Sequence, residues 1–461
     1  MSERKKRYSF LYSFLKGYMN FCSRFFYSKW ETEGFPEGTP ADTPILYAPN
    51  HQNAFYDPLN LAGFVGIKRQ PSYLTRADIF GNNAFVDGIL NAFKMLPIYR
   101  ARDGVDVVAK NEEVFEECIR RLKAKESIVI FPEGNHARKY RLRPLKKGFA
   151  RLAFRAEQEH EWDLDLQVVP VGINYRDHLK FHSDMLMISA EPIRVADYFE
   201  KFKEHPNRAL IAIRNELRDR LHETMIHIKN EPYYETINEI RQIHDKDLAQ
   251  EMGLDPETLI GQFKAQKKII ADLEQAAREE SPEMPLLQEV TTAYTERLKL
   301  LKMRDHVIRK GNYSLALLLL QGLGLLITAP LFLFGFVNNY HIYRLVAHLA
   351  ISNFKDDHFH TSMMLVLGLT LYPIFYLVQG LIVGLVTGSF SIAVLYVFAT
   401  FATGYFAMQF SMSAKKWWAR WRFFWKKRQQ NPQVMEAIAW RKSLVEKLKS
   451  LMGKAAEEAV A

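Results

Sequence analysis

Pro44-Ile45-Leu46-Tyr47-Ala48-Pro49-Asn50-His51-Gln52-Asn53-Ala54-Phe55-Tyr56-Asp57-Pro58-Leu59-Asn60-Leu61-Ala62 is the stretch that decides the fold. Pro44 to Ala48 is an apolar run of strand length and reads as a buried strand. Pro58 to Ala62 reads as a helix start with proline at its first position. His51 and Asp57 therefore sit on a strand-to-helix loop. The same spacing along a regular helix would put them on different faces. A loop can fold the carboxylate back onto the imidazole. Asp57 would then keep one ring nitrogen protonated and leave the other free to take a proton from a hydroxyl, which makes His51 a general base. Asp57 ahead of Pro58 also suits a plain helix N-cap, and His51 alone suits a polar loop.

Working outward, residues 31–230 alternate short apolar runs with helical patterns. Ser127-Ile128-Val129-Ile130-Phe131 and Leu166-Gln167-Val168-Val169-Pro170-Val171 are strand-like, and Val105 to Lys125 reads as a helix between strands. This alternation predicts an α/β domain, a sheet flanked by helices. Ahead of it, residues 1–30 combine Arg4, Lys5, Lys6 and Arg7 with Tyr8, Phe10, Leu11, Phe14, Leu15, Tyr18, Phe21, Phe25 and Phe26. That pattern suits an amphipathic helix lying on a membrane or, equally, a helix docked on the next domain. It lacks the uninterrupted apolar core and small-residue cleavage site of a signal peptide.

Residues 231–311 are rich in Glu, Lys, Gln and Leu and read as a helical arm with solvated charges. Residues 312–411 change character. Ser314–Val337, Ser362–Val386 and Ser389–Phe410 are each long enough for a bilayer, which takes about 20 residues. They predict an α-helical membrane domain. Residues 412–461 read as a basic, aromatic cytoplasmic tail. Lys415, Lys416, Arg420, Arg422, Lys426, Lys427 and Arg428 interleave there with Trp417, Trp418, Trp421 and Trp425. A second basic group, Arg297, Lys299, Lys302, Arg304, Arg309 and Lys310, precedes the first apolar segment. Cations on both flanks place both ends in the cytoplasm, which needs an even number of crossings. The sequence therefore predicts a hairpin of 362–386 and 389–410 turned at Thr387-Gly388. Ser314–Val337 is then expected to bend at Gly322, Gly324 and Pro330 and to re-enter or lie in the interface.

The 461 residues carry a net charge of +10, which favours a polyanionic partner such as a membrane surface, a phosphate-bearing substrate or nucleic acid. The two cysteines, Cys22 and Cys118, form neither a disulfide framework nor a metal cluster and fit a reducing compartment. No C-x-x-C, H-E-x-x-H or G-x-x-x-x-G-K-[ST] pattern supports a zinc or nucleotide-hydrolysis reading.

Three more segments surround the His/Asp loop in function. Met95-Leu96-Pro97-Ile98-Tyr99-Arg100-Ala101-Arg102 ends an apolar run in arginines that suit bidentate phosphate binding. Phe131-Pro132-Glu133-Gly134-Asn135-His136 ends a strand with a glycine that lets backbone approach a ligand. Val169-Pro170-Val171-Gly172-Ile173-Asn174-Tyr175 is a further strand running into a turn. Past the second of these, Arg138, Lys139, Arg141, Arg143, Lys146, Lys147, Arg151 and Arg155 come with no acidic residue between them. They suit phosphates, an acidic carrier protein or anionic lipid, or simply form a solvated helix face.

In order and spacing, the four segments resemble the four blocks of the glycerol-phosphate and lysophosphatidate acyltransferase family: N-H-x-x-x-x-D, a block ending in Arg, F-P-E-G, and V-P-hydrophobic-G. The likeness covers roughly residues 35–200. The stretch Pro170 to Pro192 looks most like fungal-type glycerol-3-phosphate acyltransferases, and His348 to Pro373 resembles their C-terminal region more loosely. The resemblance implies an α/β acyltransferase domain with a mixed sheet. It also implies a direct transfer in which His51 deprotonates a glycerol hydroxyl and Asp57 fixes its tautomer. Asn50, Arg100, Arg102, Glu133, Gly134, Asn135 and Lys146 would bind substrate. Glu133 cannot itself attract phosphate, so it would orient an arginine or hold a hydroxyl. The implied donor is acyl-CoA or acyl-carrier protein as co-substrate, with no cofactor and no metal. The implied partners are the lipid bilayer, that donor and a glycerol-phosphate acceptor, not nucleic acid. Where many members have Thr or Ser after Glu-Gly, this chain has Asn135 and His136, which leaves the acceptor open. Competing readings are acylation of other lysolipids, a membrane hydrolase using His51, His136 and Asp57 around a metal, and a non-enzymatic membrane adaptor.

Overall fold

The computed structural model describes residues 8–34, 42–53, 56–66, 69–81, 84–99, 106–136, 139–178, 180–353 and 357–458. The chain divides into two units, Met1–His227 with Asp356–Leu365, and Ile228–Lys355 with Val366–Ala461.

The first unit opens with α1 (Phe10–Phe26), β1 (Trp30–Glu33), β2 (Ile45–Pro49), α2 (Tyr56–Phe64) and β3 (Ser72–Arg76). It continues with α3 (Ala84–Ala92), β4 (Met95–Ile98), α4 (Val107–Lys123), β5 (Ser127–Val129) and α5 (Gly148–Gln158). β6 (Gln167–Tyr175), β7 (Met185–Ser189), β8 (Ile193–Arg194), α6 (Phe199–Glu204) and α7 (Pro206–Thr224) complete it. The strands form one mixed sheet in the order β1-β7-β6-β2-β5-β3-β4, with β8 also on β6. β2 pairs parallel with both β5 and β6, and β6 pairs antiparallel with β7. A strand parallel on both edges is covered on both faces. That is why Ile45 to Pro49 is apolar and buried throughout.

Pro170 lies inside β6, where a proline is normally excluded from a ladder. Its register partner on β2 is Ala48, and its carbonyl accepts from Ala190 on the other edge. A strand residue's N–H and C=O point the same way, so the missing N–H falls between the β8 pairing at Gln167–Val168 and the β7 pairing from Val171. The proline therefore gives up only the reciprocal N–H to Ala190, on the edge away from β2. On one face the core is built from Leu46, Ile128, Val168 and helices α4, α5 and α7 through Cys118, Leu122, Phe149, Ala153, Ile213 and Leu217.

α1 docks by one face and leaves the other open. Tyr12, Lys16, Met19, Ser23 and Phe26 are buried, whereas Phe10, Leu11, Phe14 and Phe21 are half or more exposed. Lys16 donates to the Gly66 and Arg69 carbonyls at 2.6 and 2.7 Å, and the Tyr12 hydroxyl donates to Pro71 O at 3.0 Å.

The second unit holds α8 (Tyr234–Glu251), α9 (Leu259–Arg278), α10 (Glu283–Leu301), α11 (Asp305–Lys310), α12 (Leu315–Asn353), α13 (Asp357–Thr387), α14 (Phe390–Arg428) and α15 (Pro432–Glu458). The first turns of α13 count with the first unit. The arm's charges are not all solvated as its composition suggests. Arg441 of α15 donates to Asp247 of α8 at 2.9 Å and to Asp305 of α11 at 2.8 Å, and Arg309 reaches Asp247 at 3.2 Å. Within the stretch read as a tail, α15 buries Val434, Ala437, Leu444 and Leu448, and Glu436 pairs with Arg297 of α10.

Among the described residues, three helices are long and apolar enough to span a membrane, over Leu315–Ser352, Met363–Thr387 and Phe390–Arg428. α13 and α14 meet in the expected tight turn, with Gly388 at φ +67° and Ser389 capping α14. α12 is one continuous 39-residue helix with Pro330 inside it. Two of its glycines sit at close contacts. A Cβ at Gly322 would stand 2.9 Å from the Trp417 ring, and one at Gly335 would stand 2.1 Å from Thr403 O. Small residues of this kind let helix backbones approach closely in a bilayer. Asn338, just past the first apolar segment, lies inside α12, where its carbonyl accepts from Gln379 at 3.2 Å.

Candidate active site

Parallel strands leave their carboxyl ends at one edge of a sheet, where α/β proteins gather ligands. β2 ends there at Pro49 and β5 at Val129, and each runs straight into a quoted segment. Asn50 sets the geometry. Its Nδ2 donates to Ile173 O at 3.1 Å and its Oδ1 accepts from Ile173 N at 2.6 Å, so its fully buried amide fastens the end of β2 to β6. The side chain expected on substrate is committed to this junction.

The loop then folds as the spacing predicts. His51 Nδ1 and Asp57 Oδ2 are 2.8 Å apart. The same oxygen accepts the N–H groups of Gln52 and Asn53, each at 2.8 Å, and Oδ1 accepts from the Tyr175 hydroxyl at 2.7 Å. Asp57 lies in the first turn of α2 with no exposure. Its bonds run back into the loop, so it is not acting as an N-cap for α2. An ionised carboxylate only accepts, so Nδ1 carries the proton and Nε2 is the basic nitrogen. The His51 side chain keeps 13% exposure. Its ring stacks on Phe131 at 4.1 Å between centroids and meets the His136 ring edge-on at 5.8 Å.

Glu133 braces the floor of this site. Its Oε1 accepts from His51 N–H at 2.7 Å and its Oε2 from Arg143 N–H at 2.9 Å. Both oxygens are thus used by backbone, one from the His51 loop and one from the basic loop. The residue is 4% exposed, and burial pushes its carboxyl up to about 7, opposed by those two N–H groups. A carboxyl raised in the folded state contributes stability that is complete below its unfolded value and lost as pH rises through the folded one. We expect wild type to lose stability relative to Glu133→Gln between pH about 4.5 and about 7, by at most about 3 kcal/mol. Melting of the full chain in detergent across that range measures it, and parallel curves would refute it.

Gly134 sits at φ +69°, and a Cβ there would lie 2.7 Å from Lys146 Nζ, so the glycine leaves room for that exposed lysine beside the site. Asn135 is exposed, with its Oδ1 accepting from His136 N–H at 3.1 Å. Arg143 Nη1 donates to His136 O at 3.3 Å. Arg155 turns away from the basic group into ion pairs with Glu112 and Glu159. Arg100, Arg102 and Arg138 lie outside the described residues. Tyr99 just before them is held by Asn111 of α4 through both its N–H and C=O, each at 3.0 Å. Among the described residues, no three His, Cys, Asp or Glu side chains converge so as to hold a metal ion.

The structure thus joins His51, Asp57, Glu133, Gly134 and Lys146 at one sheet edge. Sequence reasoning gave no role to Tyr175, Asn60 or Phe131. One signal was available for Asn60: three residues after Asp57 on a helix, it shares the same face.

Residues 30–174 match the family model described as Acyltransferase. An uncharacterised acyltransferase of Schizosaccharomyces pombe is 27% identical over 213 residues, 44% of this chain and 29% of that protein. Glycerol-3-phosphate O-acyltransferase 2 of Saccharomyces cerevisiae is 30% identical over 128 residues, 28% of this chain and 17% of that protein. The chain thus spans less than a third of the length of these curated relatives. The crystal structure of the 1-acyl-sn-glycerophosphate acyltransferase PlsC from Thermotoga maritima aligns with 41% of this chain and 75% of its own. The identity is 17% and the TM-score 0.31.

Proposed function

We propose, starting from the acyltransferase-family domain that this chain carries, that it is a membrane-bound glycerolipid O-acyltransferase. It moves a fatty acyl group from acyl-CoA or acyl-carrier protein to a hydroxyl of glycerol-3-phosphate or 1-acylglycerol-3-phosphate. The observation that carries this is the His51–Asp57 pair at 2.8 Å, with Asp57 buried and held by three further donors. His51 Nε2 takes the proton of the acceptor hydroxyl as its oxygen attacks the thioester carbonyl. The new C–O bond forms and the C–S bond breaks. The departing thiolate takes the proton back from the imidazolium, giving an ester and a free thiol. Asp57 stabilises the imidazolium while it exists. The step uses this chain's side chains and the two substrates alone. Lys146 and the neighbouring basic loop favour a phosphate-bearing acceptor.

The test is full-length protein in detergent with one labelled acyl-CoA and a panel of glycerol-3-phosphate, dihydroxyacetone phosphate and lysolipids. Label appearing in an acyl glycerol-phosphate supports the reading. Label released only as free fatty acid, and lost with a chelator, would replace it with a hydrolase.

The three long apolar helices associate the chain with a membrane. The proposed orientation puts the domain on the cytoplasmic face, where both cationic flanks belong. α13 and α14 then cross as a hairpin and Gly388 faces outward. An even number of crossings returns the end of α12 to the cytoplasm. With Cys22 and Cys118 replaced, Gly388→Cys is expected to label from outside and Ser352→Cys from the cytoplasm. Outside labelling at Ser352 would show that α12 crosses fully and that the two flanks lie on opposite faces.

A further inference from the structure

We propose that Tyr175 is a positioning residue for this reaction. Its hydroxyl fixes the Asp57 carboxylate that orients His51, and Asn60 sets the polarity of that contact. The proposal rests on the direct-transfer reading above.

The two oxygens of Asp57 are held unequally. Oδ2 serves His51, Gln52 and Asn53, whereas Tyr175 is the hydrogen-bond partner of Oδ1. Without that anchor the carboxylate can turn about its own bond, and Oδ2 leaves His51 Nδ1. Tyr175 in turn is aimed by Asn60, whose Nδ2 donates to the Tyr175 hydroxyl at 2.9 Å and to the Tyr27 hydroxyl at 2.7 Å. All four residues are at least nine-tenths buried.

The direction of this chain of bonds follows from charge. Asp57 can only accept, so the Tyr175 hydroxyl must donate to it. The phenol oxygen is then left as an acceptor, and Asn60 must meet it with its amino side. Asn60 Oδ1 is buried without a hydrogen-bond partner among the described residues. The amide orientation is therefore chosen by the two phenols and not by a partner for its own oxygen. Burial first, and the charge of Asp57 beside it, push the Tyr175 phenol far up, so it keeps the proton it donates.

Tyr175 ends β6, two residues past the Ile173 backbone that Asn50 fastens. The junction that places the catalytic loop therefore also places the phenol. At 3% exposure Tyr175 acts only through Asp57. Its O–H draws charge from the carboxylate, and that charge decides how firmly the imidazolium is held after His51 takes the acceptor's proton.

The experiment compares wild type, Tyr175→Phe and a chain carrying 3-fluorotyrosine at position 175, all full length in detergent. Tyr175→Phe is expected to lower kcat about tenfold with both KM values little changed. It leaves more charge on Asp57, so the acid limb of the pH–rate profile should move up by about half a unit. The fluorinated phenol is a stronger donor of the same shape, so its acid limb should move down. The His51 ring resonance, assigned by its loss in His51→Gln, should titrate with the same opposed displacements. Wild-type kcat with unmoved titration in Tyr175→Phe would overturn the proposal, even if that variant melts earlier. If Tyr175→Phe does not fold, an unmoved limb and an unmoved resonance with fluorotyrosine overturn it. If wild type transfers no acyl group, the reading of function fails, while the His51 resonance still decides whether Tyr175 governs that pair.

Discussion

Replacing His51 with alanine is expected to lower acyl transfer by about 10²–10⁴-fold while the chain stays folded and membrane-bound. The magnitude is that of losing a general base outright. The fold should survive because the loop is held by groups that alanine keeps. The residue-51 N–H still donates to Glu133, and Asn50 still fastens β2 to Ile173. Asp57 loses one donor and retains Gln52, Asn53 and Tyr175. Turnover of labelled acyl-CoA, with melting as the control, decides it. Near-normal turnover in a folded variant would remove His51 from the mechanism.

A loss of similar size, about 10²–10⁴-fold in kcat, is expected for Asp57→Asn. The amide can turn its oxygen toward His51, Gln52 and Asn53, which spares most of the loop. Its amino group then faces the Tyr175 hydroxyl, whose proton is left without its acceptor. That mismatch in a buried site costs about 1–3 kcal/mol of stability. The larger effect is chemical, because no negative charge remains to stabilise the imidazolium. Substrate affinity should change less than kcat. A variant that melts earlier yet turns over normally would make Asp57 a loop brace and nothing more.

The sequence exposed features whose causes are local. His51 and Asp57 meet because a six-residue separation across a loop lets the backbone close on itself. The apolar runs at β2, β5 and β6 were legible because a strand covered on both faces must be apolar along its length. The three long apolar helices were legible because a bilayer sets their length. The turn at Gly388 was legible because a left-handed backbone favours glycine.

Other features needed partners that chain order does not reveal. Asn50 and Glu133 were expected on substrate because the family resemblance implies it. Tertiary structure showed their polar atoms already engaged, by Ile173 and by the His51 and Arg143 N–H groups. Pro330 read as a bend because proline forfeits a helical hydrogen bond. Yet α12 stays helical through it, and its Gly322 and Gly335 lie against α14. Arg441, in the stretch read as a cytoplasmic tail, pairs with Asp247 and Asp305, 194 and 136 residues away.

By itself, then, the amino-acid sequence determined the local chemistry: a histidine with its carboxylate on one loop, the strands that carry that loop, and helices apolar enough for a membrane. Tertiary structure alone decided which polar groups remain open to substrate and which hold the frame. Tyr175 lies 118 residues from Asp57, and only the pairing of β6 with β2 brings them together. That register is fixed by packing over the whole sheet, where each buried donor must find an acceptor. A constraint of that kind is satisfied by the folded chain as a unit and leaves no mark on the order of its residues.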